Sequence, residues 1–302
     1  MKFGELVKTL SKQIKDNSFY ISARSQEIGE WAESILASDT LDGKLSAPEV
    51  LTDNELYTPR VWDEPIRPVG LGFTKRSESD KLPPFHEHND IDKRAACLHR
   101  FAGHELLAVE IMAYALVAFP DAPKHFRKGL ASTLKEEQEH VRLYIRRLNA
   151  MGVQFGDMPL YKHFWSHVPY LHSPKEYVSM MSLTFEMANL DFAPMYRDSF
   201  LRHGDPESGA LMSRILHDEL SHVSFGWHWL KRLKAENQSM WEAWNEYSGP
   251  LVTPGRAKGF LFFETHRREA GVDQAFINEM KDAVKLKPQS VITSSSSDIS
   301  SA

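Results

Sequence analysis

Apolar residues recur at spacings of three, four and seven positions over much of this chain. Near the N-terminus, within a helical pattern from residue 3 to about residue 38, such a stripe comprises Ile28, Trp31, Ala32, Ile35 and Leu36. The same periodicity runs through residues 90–233, and shorter helical patterns follow at 241–247 and 260–270. Because this spacing puts apolar side chains on one face of a helix, it predicts an all-α protein.

Changes in composition divide the chain into four zones. Residues 41–84 are rich in Pro, Asp and Thr, Gly249-Pro250 predicts a break between the last two helices, and a serine run lies near the C-terminus. We therefore expect an N-terminal helix and extended arm packed on the core over residues 1–89, a helical bundle over 90–235, C-terminal helices over 236–287 and a disordered tail over 288–302.

One short motif occurs twice within the predicted bundle. Glu137 precedes His140 by three positions, and Glu219 precedes His222 by three positions. On a helix, positions i and i+3 lie roughly 60° apart around the axis, so both side chains of each pair can reach one centre. A single Glu-x-x-His pair is common on helices, but a duplicated pair predicts a shared site.

Each pair also has a glutamate upstream in an apolar stretch. Glu105 lies 32 residues before Glu137, and Glu186 lies 33 residues before Glu219. That separation fits two antiparallel helices joined by a short connection, which brings both glutamates to one level. Buried carboxylates are costly unless they are paired, protonated or bound to metal. The predicted metal ligands are Glu105, Glu137, His140, Glu186, Glu219 and His222; the alternative is a bundle whose site is structural or degenerate.

Four segments carry a resemblance to a known family. They are residues 98–110 (LHRFAGHELLAVE), 155–159 (FGDMP), 186–194 (EMANLDFAP) and 215–223 (ILHDELSHV). Over roughly residues 25–270 the chain resembles an uncharacterised bacterial family within the ferritin-like dimetal-carboxylate superfamily. The resemblance implies a ferritin-like four-helix bundle with a long crossover between helices 2 and 3, flanked by N-terminal and C-terminal extensions. It also implies a dimetal centre, with Glu137 and Glu219 bridging the metals.

The ligand types indicate which metals suit such a centre. Four carboxylates and two imidazoles form a hard, oxygen-rich set that favours iron or manganese over structural zinc. We expect two iron ions, with a manganese–iron pair or manganese as alternatives. By resemblance, the reduced metals would react with dioxygen.

Residues beside the ligands have predicted roles of their own. Glu136 and Asp218 each precede a motif and could accept the imidazole N–H of a histidine ligand on another helix. Glu110 and Asp191 follow Glu105 and Glu186 by five positions, which turns them off the ligand face, so we expect them to form ion pairs or hydrogen bonds. His104 is about 100° around the helix from its neighbour Glu105 and is expected to point away from the metals.

Three tyrosines and the crossover could also contribute to a site. Tyr114, Tyr144 and Tyr196 either approach the centre or pack in the core. The predicted crossover is rich in aromatic residues and histidines, which either cap the end of the bundle or form the wall of a substrate pocket: Tyr161, His163, Phe164, Trp165, His167, Tyr170 and His172.

Composition limits the remaining possibilities. A net charge of −5 and a pI near 6.3 give no global attraction to nucleic acid. The single cysteine, Cys97, fits a reducing compartment and is expected to be a buried small residue. No secretion signal is visible, and the longest apolar stretch, residues 106–119, is too short to span a bilayer. We therefore expect a soluble, cytoplasmic protein without a membrane span.

Two functions fit these patterns. The first is an oxidoreductase that activates dioxygen to hydroxylate or oxidise a small organic substrate. The second is a ferroxidase, another iron-handling protein or a non-catalytic metal-binding module. Long segments flank the predicted bundle, which suits a substrate pocket better than a storage cage and favours the oxidoreductase. The sequence has no dinucleotide fingerprint and no cysteine cluster, so electrons would come from the substrate or from a partner such as a reductase or ferredoxin. A homodimer also remains open.

Overall fold

The structure, a computed structural model, describes residues 25–55, 58–75, 77, 80–251 and 254–283. It is mostly helical, which confirms the all-α class. Most of the helical pattern predicted over residues 3–38, and the tail predicted to be disordered over 288–302, lie outside the described residues.

The N-terminal part combines two short strands with two helices. These elements are β1 (Ser25–Glu27), α1 (Ile28–Ala37), α2 (Leu41–Leu45) and β2 (Val50–Thr52), and β1 pairs in parallel with β2. The predicted apolar stripe of α1 is buried in the core. Helix α2 forms within the segment predicted to be extended because the Thr40 side chain accepts a hydrogen bond from the Gly43 backbone N–H at its first turn.

Long helices form the centre of the molecule. They are α3 (Ile91–Ala118), α4 (Lys124–Ala150), α6 (Met187–Arg202) and α7 (Pro206–Leu233), with the short α5 (Pro174–Tyr177) before α6. Helix α3 packs along α4, α6 packs along α7, and α4 contacts α7. Asp205 joins three of these helices, because its carboxylate caps α7 through the Ser208 N–H and forms ion pairs with Arg94 on α3 and Arg147 on α4.

A π-helical stretch, Val178–Glu186, links α5 to α6 without a break. Its altered hydrogen bonding leaves the Ser179 carbonyl to accept from the Thr184 hydroxyl at 2.7 Å and from the Trp244 indole at 3.1 Å. Such stretches are uncommon and often lie at functional sites. Here it ends on Glu186, one of the predicted ligands.

The segment between α4 and α5 is bound to α3 through His99. The backbone N–H of Gly156 donates to His99 Nε2 at 2.9 Å, and Gly156 has a φ of 109°, which favours glycine. Burial lowers the pKa of His99 to about 4, so its ring stays neutral and can accept this bond. Sequence analysis gave His99 no role.

The C-terminal part consists of α8 (Met240–Leu251), α9 (Glu264–Glu269) and α10 (Gln274–Asp282). Helix α8 continues through Gly249-Pro250, where we predicted a break, and α10 lies beyond the last helical pattern that we identified.

Two buried carboxylates attach the flanking segments to the long helices. Glu110 on α3 forms ion pairs with Lys44 of α2 and with Arg67. Asp191 on α6 accepts two hydrogen bonds from Arg267 of α9, at 2.7 and 2.8 Å. These contacts confirm that the two equivalent acids form ion pairs. Each acid anchors a different extension.

The C-terminal part also compensates for a proline inside α6. Pro194 has no N–H, so the Leu190 carbonyl four positions earlier loses its helical partner. His266 Nδ1 lies 2.8 Å from that carbonyl oxygen and satisfies it.

Within the described residues, one helix, Ile91–Ala118, is long and apolar enough to cross a membrane. Of its most apolar window, 83% is buried inside the structure. A helix buried to this extent inside the protein belongs to its core. Cys97, on the same helix, is fully buried as expected, and burial raises the pKa of its thiol to about 12.

Removing the charge of Arg267 should destabilise the protein. The substitution Arg267→Met leaves Asp191 buried without its counter-ion, and a broken buried pair costs about 3–5 kcal/mol. We expect a loss of this size in the free energy of unfolding measured with denaturant. The control, Arg268→Met, alters an exposed neighbour and should change it by less than about 0.5 kcal/mol. Equal stabilities of the two variants would contradict the anchoring role.

Candidate metal centre

All six predicted ligands point into the core. Helix α3 supplies Glu105, α4 supplies Glu137 and His140, the π-helical stretch ends with Glu186, and α7 supplies Glu219 and His222. Glu105 is the most exposed of the six, at 6%. Burial follows from apolar residues about one turn from the glutamates, such as Leu134 and Val141 beside Glu137, which draw that helix face inward.

Ligand atoms of these side chains form two groups. One contains Glu105, Glu137 and His140, and the other contains Glu137, Glu186 and His222; within each group the atoms lie within 4.8 Å of one another. Glu137 belongs to both groups, because its two oxygens lie 3.2 Å from His140 Nδ1 and 3.0 Å from His222 Nδ1. Its carboxylate therefore lies between the two groups.

Glu219 lies at the edge of the cluster. Its Oε2 is 3.6 Å from His222 Nδ1, and its Oε1 accepts a hydrogen bond from Asn189 at 2.8 Å. The structure thus places Glu219 beside the second group without including it in either group of closest atoms.

The acidic residue beside each Glu-x-x-His motif contacts the histidine of the other motif. His140 Nε2 lies 3.0 Å from Asp218 Oδ2, and His222 Nε2 lies 2.9 Å from Glu136 Oε2. This confirms the prediction for Glu136 and Asp218. Because each carboxylate accepts the Nε2 proton, Nδ1 of each ring faces the cluster, and its lone pair can bind a metal when the ring is neutral.

Several buried atoms of the cluster have no hydrogen-bond partner. They are both carboxylate oxygens of Glu186, together with Glu137 Oε1, Glu219 Oε2 and His222 Nδ1, which lie close to one another without hydrogen-bond geometry. Buried polar atoms without a hydrogen bond are rare in folded proteins, and each of these can ligate a metal once it is deprotonated. The residues present therefore fit a bound cation.

Burial and mutual repulsion control protonation of the metal-free cluster. Burial, together with the nearby Glu137, raises the pKa of Glu105 well above its ordinary value, and burial raises that of Glu186 to about 8. Burial alone would lower the pKa of His140, but Glu137 and Asp218 raise it to about 9. Without metal, the cluster therefore holds protons at neutral pH.

Two neighbouring cavities lie beside the cluster. The inner one, about 50 Å³, is lined by Glu105, Glu137, Glu186 and Glu219. The outer one is a pocket of about 510 Å³. The two cavities share aromatic walls formed by Phe101, Phe164, Phe185, Phe192 and Tyr196.

The residues proposed around the site divide between cavity and core. Tyr144 and Tyr196 line the inner cavity, whereas Tyr114 packs on Trp165 at 5.9 Å. His104, which we expected to point away from the metals, belongs to neither ligand group but lines both cavities, and its ring lies 4.9 Å from that of Phe164.

The aromatic residues between α4 and α5 divide between the outer pocket, the core and the surface. Tyr161, His163 and Phe164 line the outer pocket. Trp165 is buried and donates its indole N–H to the Asp63 carbonyl at 2.7 Å, and Tyr170 is 48% exposed. Neither Trp165 nor Tyr170 lines either cavity.

Sequence reasoning missed several residues of the cavity. Asn189 follows Glu186 by three positions, which places it on the ligand face and could have identified it. Arg256 and Phe185 had no such pattern. Tyr177 is fully buried with an unpartnered hydroxyl, and burial near Glu186 raises its pKa well above the usual range.

Together, fold and site define an all-α protein with a buried carboxylate–histidine cluster that could hold a metal ion. The chain belongs to the family described as "Protein of unknown function (DUF455)", which matches residues 29–278. No curated protein and no solved structure matches the chain.

Metal removal should make stability depend on pH. The folded, metal-free protein keeps a proton on Glu186 between its ordinary pKa of 4.5 and about 8, and on His140 between 6.5 and about 9, where the unfolded chain loses them. Its melting temperature should therefore fall as pH rises from about 5 to about 9. Scanning calorimetry should show that the difference in melting temperature between metal-loaded and chelated protein increases as pH rises over this range.

The variant Glu186→Gln, which imitates the protonated acid, should flatten the decrease between about pH 5 and 8. A chelated protein whose melting temperature does not change with pH over this range would show that these residues do not form a proton-holding cluster.

Neutralising a carboxylate behind a histidine should weaken metal binding. Asp218→Asn keeps the shape of the side chain but removes the charge that orients His140, and such changes cost about 10–100-fold in metal affinity. Competition with a chelator measures this change. Glu139→Gln is the control, because Glu139 is an exposed carboxylate on α4 that pairs with Arg146. Equal affinities of both variants and the wild type would contradict the assigned role.

Proposed function

We propose that this protein is a ferritin-like dimetal oxidoreductase, which uses dioxygen to hydroxylate or oxidise a small organic substrate. Its long helices would form a ferritin-like four-helix bundle, with the segment between α4 and α5 as the long crossover. The observation that carries the proposal is a pocket large enough for an organic molecule, which shares its aromatic walls with the smaller cavity beside the carboxylate cluster.

The metals would be held by the six clustered side chains. His140 and His222 would each bind one ion through Nδ1, with Glu137 between them and Glu105, Glu186 and Glu219 completing the set. Two iron ions suit these ligands, and a manganese–iron pair or manganese remains an alternative. Bound redox-active metals would supply the reaction with dioxygen.

The chain itself orients these ligands and shields the site. Asp218 and Glu136 fix the imidazoles, and Asn189 holds one oxygen of Glu219. Phe164 and Phe185, whose rings are 4.5 Å apart, narrow the passage between the pocket and the cluster. These rings would exclude bulk water while the substrate lies beside the metals.

Both flanking segments contribute residues to the lining of the outer pocket. This lining supports the proposal that the substrate is an organic molecule. Leu82 comes from the N-terminal segment, and Gly255, Arg256 and Phe260 come from the C-terminal segment. A protein that handles only iron ions gains nothing from a pocket of this size.

One observation favours the alternative function, iron oxidation or storage. The inner cavity, at about 50 Å³, is wide enough for an ion or a water molecule and too small for an organic molecule. An organic substrate would therefore reach the cluster only with the part that enters this passage, or after Phe164 changes its rotamer.

Electrons would come from the substrate or from a partner such as a reductase or ferredoxin. With Cys97 as the single cysteine, the chain itself cannot hold a four-cysteine iron–sulfur cluster. A homodimer and a cytoplasmic location remain proposals.

The test combines metal content with oxygen chemistry. Elemental analysis after anaerobic loading with ferrous iron should give close to two ions per chain, and Glu137→Ala should lose at least one because its carboxylate belongs to both ligand groups. Phe164→Ala should keep the metals and alter oxygen consumption, whereas Tyr170→Ala, an exposed aromatic of the same crossover, should alter neither.

A wild-type protein that binds no iron under these conditions would overturn the proposal. If Phe164→Ala keeps wild-type oxygen chemistry, the pocket does not serve the reaction, and the ferroxidase alternative is then favoured.

A further inference from the structure

The outer pocket carries positive charge in a chain that is negative overall. Four basic residues line it, whereas no Asp or Glu within the described residues does: Lys81, Arg100, Arg256 and Lys258. The net charge of the whole chain is −5. The charge of this pocket is therefore local, which distinguishes it from the general surface.

Two guanidinium groups face the pocket from different elements. Arg100 lies on α3, stacked over the Tyr161 ring at 4.4 Å. Arg256 lies in the segment between α8 and α9, contacts His163 and stands 5.8 Å from the Phe185 ring. A guanidinium group that lies against an aromatic ring can also donate hydrogen bonds from its edge, where its N–H groups lie.

The other charged groups nearby contribute less to ligand binding. The Lys258 ammonium donates to the carbonyls of Met280, Lys281 and Ala283 at the end of α10. Asp80 is close enough to Arg100 to interact with its charge, but it lies outside the pocket lining and accepts hydrogen bonds from Ser77. The two arginines are the better candidates for recognising an anion, because each planar guanidinium group can donate two parallel hydrogen bonds to one carboxylate or phosphate.

The walls between the arginines and the cluster are aromatic. Phe164 and Phe185 lie at the inner end of the pocket, and Phe192 and Tyr196 line the same passage. Burial, with the nearby charge of Arg256, lowers the pKa of His167 to about 4, so this ring beside Phe185 is neutral at physiological pH. The pocket is thus basic outside and apolar inside.

We propose that the pocket binds an organic anion: an apolar body of about one or two rings that carries a carboxylate or a phosphate. Arg100 and Arg256 hold the anionic group, and the body extends along the aromatic walls towards the carboxylate cluster. Guanidinium groups match carboxylate and phosphate oxygens in geometry as well as charge. This inference rests on the proposed function, since it names the substrate class and the end of the substrate that approaches the metals.

Three probes with the same ring system and different charged or neutral groups test the proposed class of ligand. With zinc-loaded protein, isothermal titration of 2-naphthoate, 2-naphthyl phosphate and the neutral 2-naphthamide should show at least one anion binding about tenfold or more tighter than the amide. Arg256→Gln and Arg100→Gln should each weaken anion binding about tenfold and leave amide binding unchanged. The control is Arg232→Gln, which removes an exposed charge at the end of α7 and should change neither.

A separate measurement tests which end of the bound probe lies nearer the metals. With manganese(II)-loaded protein, the ring protons farthest from the anionic group should broaden most in the NMR spectrum of the bound probe, relative to the zinc-loaded control. Four outcomes would each overturn the inference. In the titrations, these are equal affinities for anion and amide, failure of every probe to bind, and no effect of either arginine substitution. In the NMR spectrum, it is greatest broadening of the protons beside the anionic group.

The same titration on metal-free protein separates the two proposals. Anion-selective binding in a protein that takes up no metal would support the pocket assignment and contradict the proposed function. A protein that binds metal and consumes oxygen but shows no anion selectivity would support the proposed function and contradict the pocket assignment.

Discussion

The structure depends on placing several carboxylates together in the core of a helical protein. Glu105, Glu137, Glu186 and Glu219 would repel one another there, and burial penalises their charge further. Two imidazoles and shared protons relieve this repulsion in the metal-free cluster, as the raised pKa values of Glu105 and Glu186 show. The arrangement persists because the long helices are fixed to each other by other contacts, among them the triple connection at Asp205.

The duplicated pattern extends beyond the cluster itself. Each half of the molecule has a second buried acid five positions after its upstream glutamate, and each of these acids binds a flanking segment: Glu110 binds the N-terminal segment and Asp191 the C-terminal one. Because both flanking segments also line the outer pocket, their anchors help to shape it. The cluster, the anchors and the pocket are therefore built on the same pair of repeated helices.

Spacing alone predicted the parts of the site that lie on regular helices. The i, i+3 pairs and the upstream glutamates indicated which side chains meet, and the acids next to Glu137 and Glu219 indicated what holds the histidines. The sequence did not reveal the π-helical stretch before Glu186, because its stabilising contact comes from Trp244, about sixty residues away. It did not reveal Arg256 either, since a residue in an irregular segment has no periodicity to mark the direction of its side chain.

Charge balance relates the number of metals to the number of carboxylates. Four ionised glutamates with two neutral histidines carry four negative charges, and two divalent cations carry four positive ones, so a loaded centre is close to neutral, the state that an apolar core tolerates best. A single divalent ion would leave two charges to be neutralised by protons on buried acids. Loading therefore replaces protons with metal, and the metal affinity of this cluster should rise with pH over the interval in which Glu186 and His140 titrate.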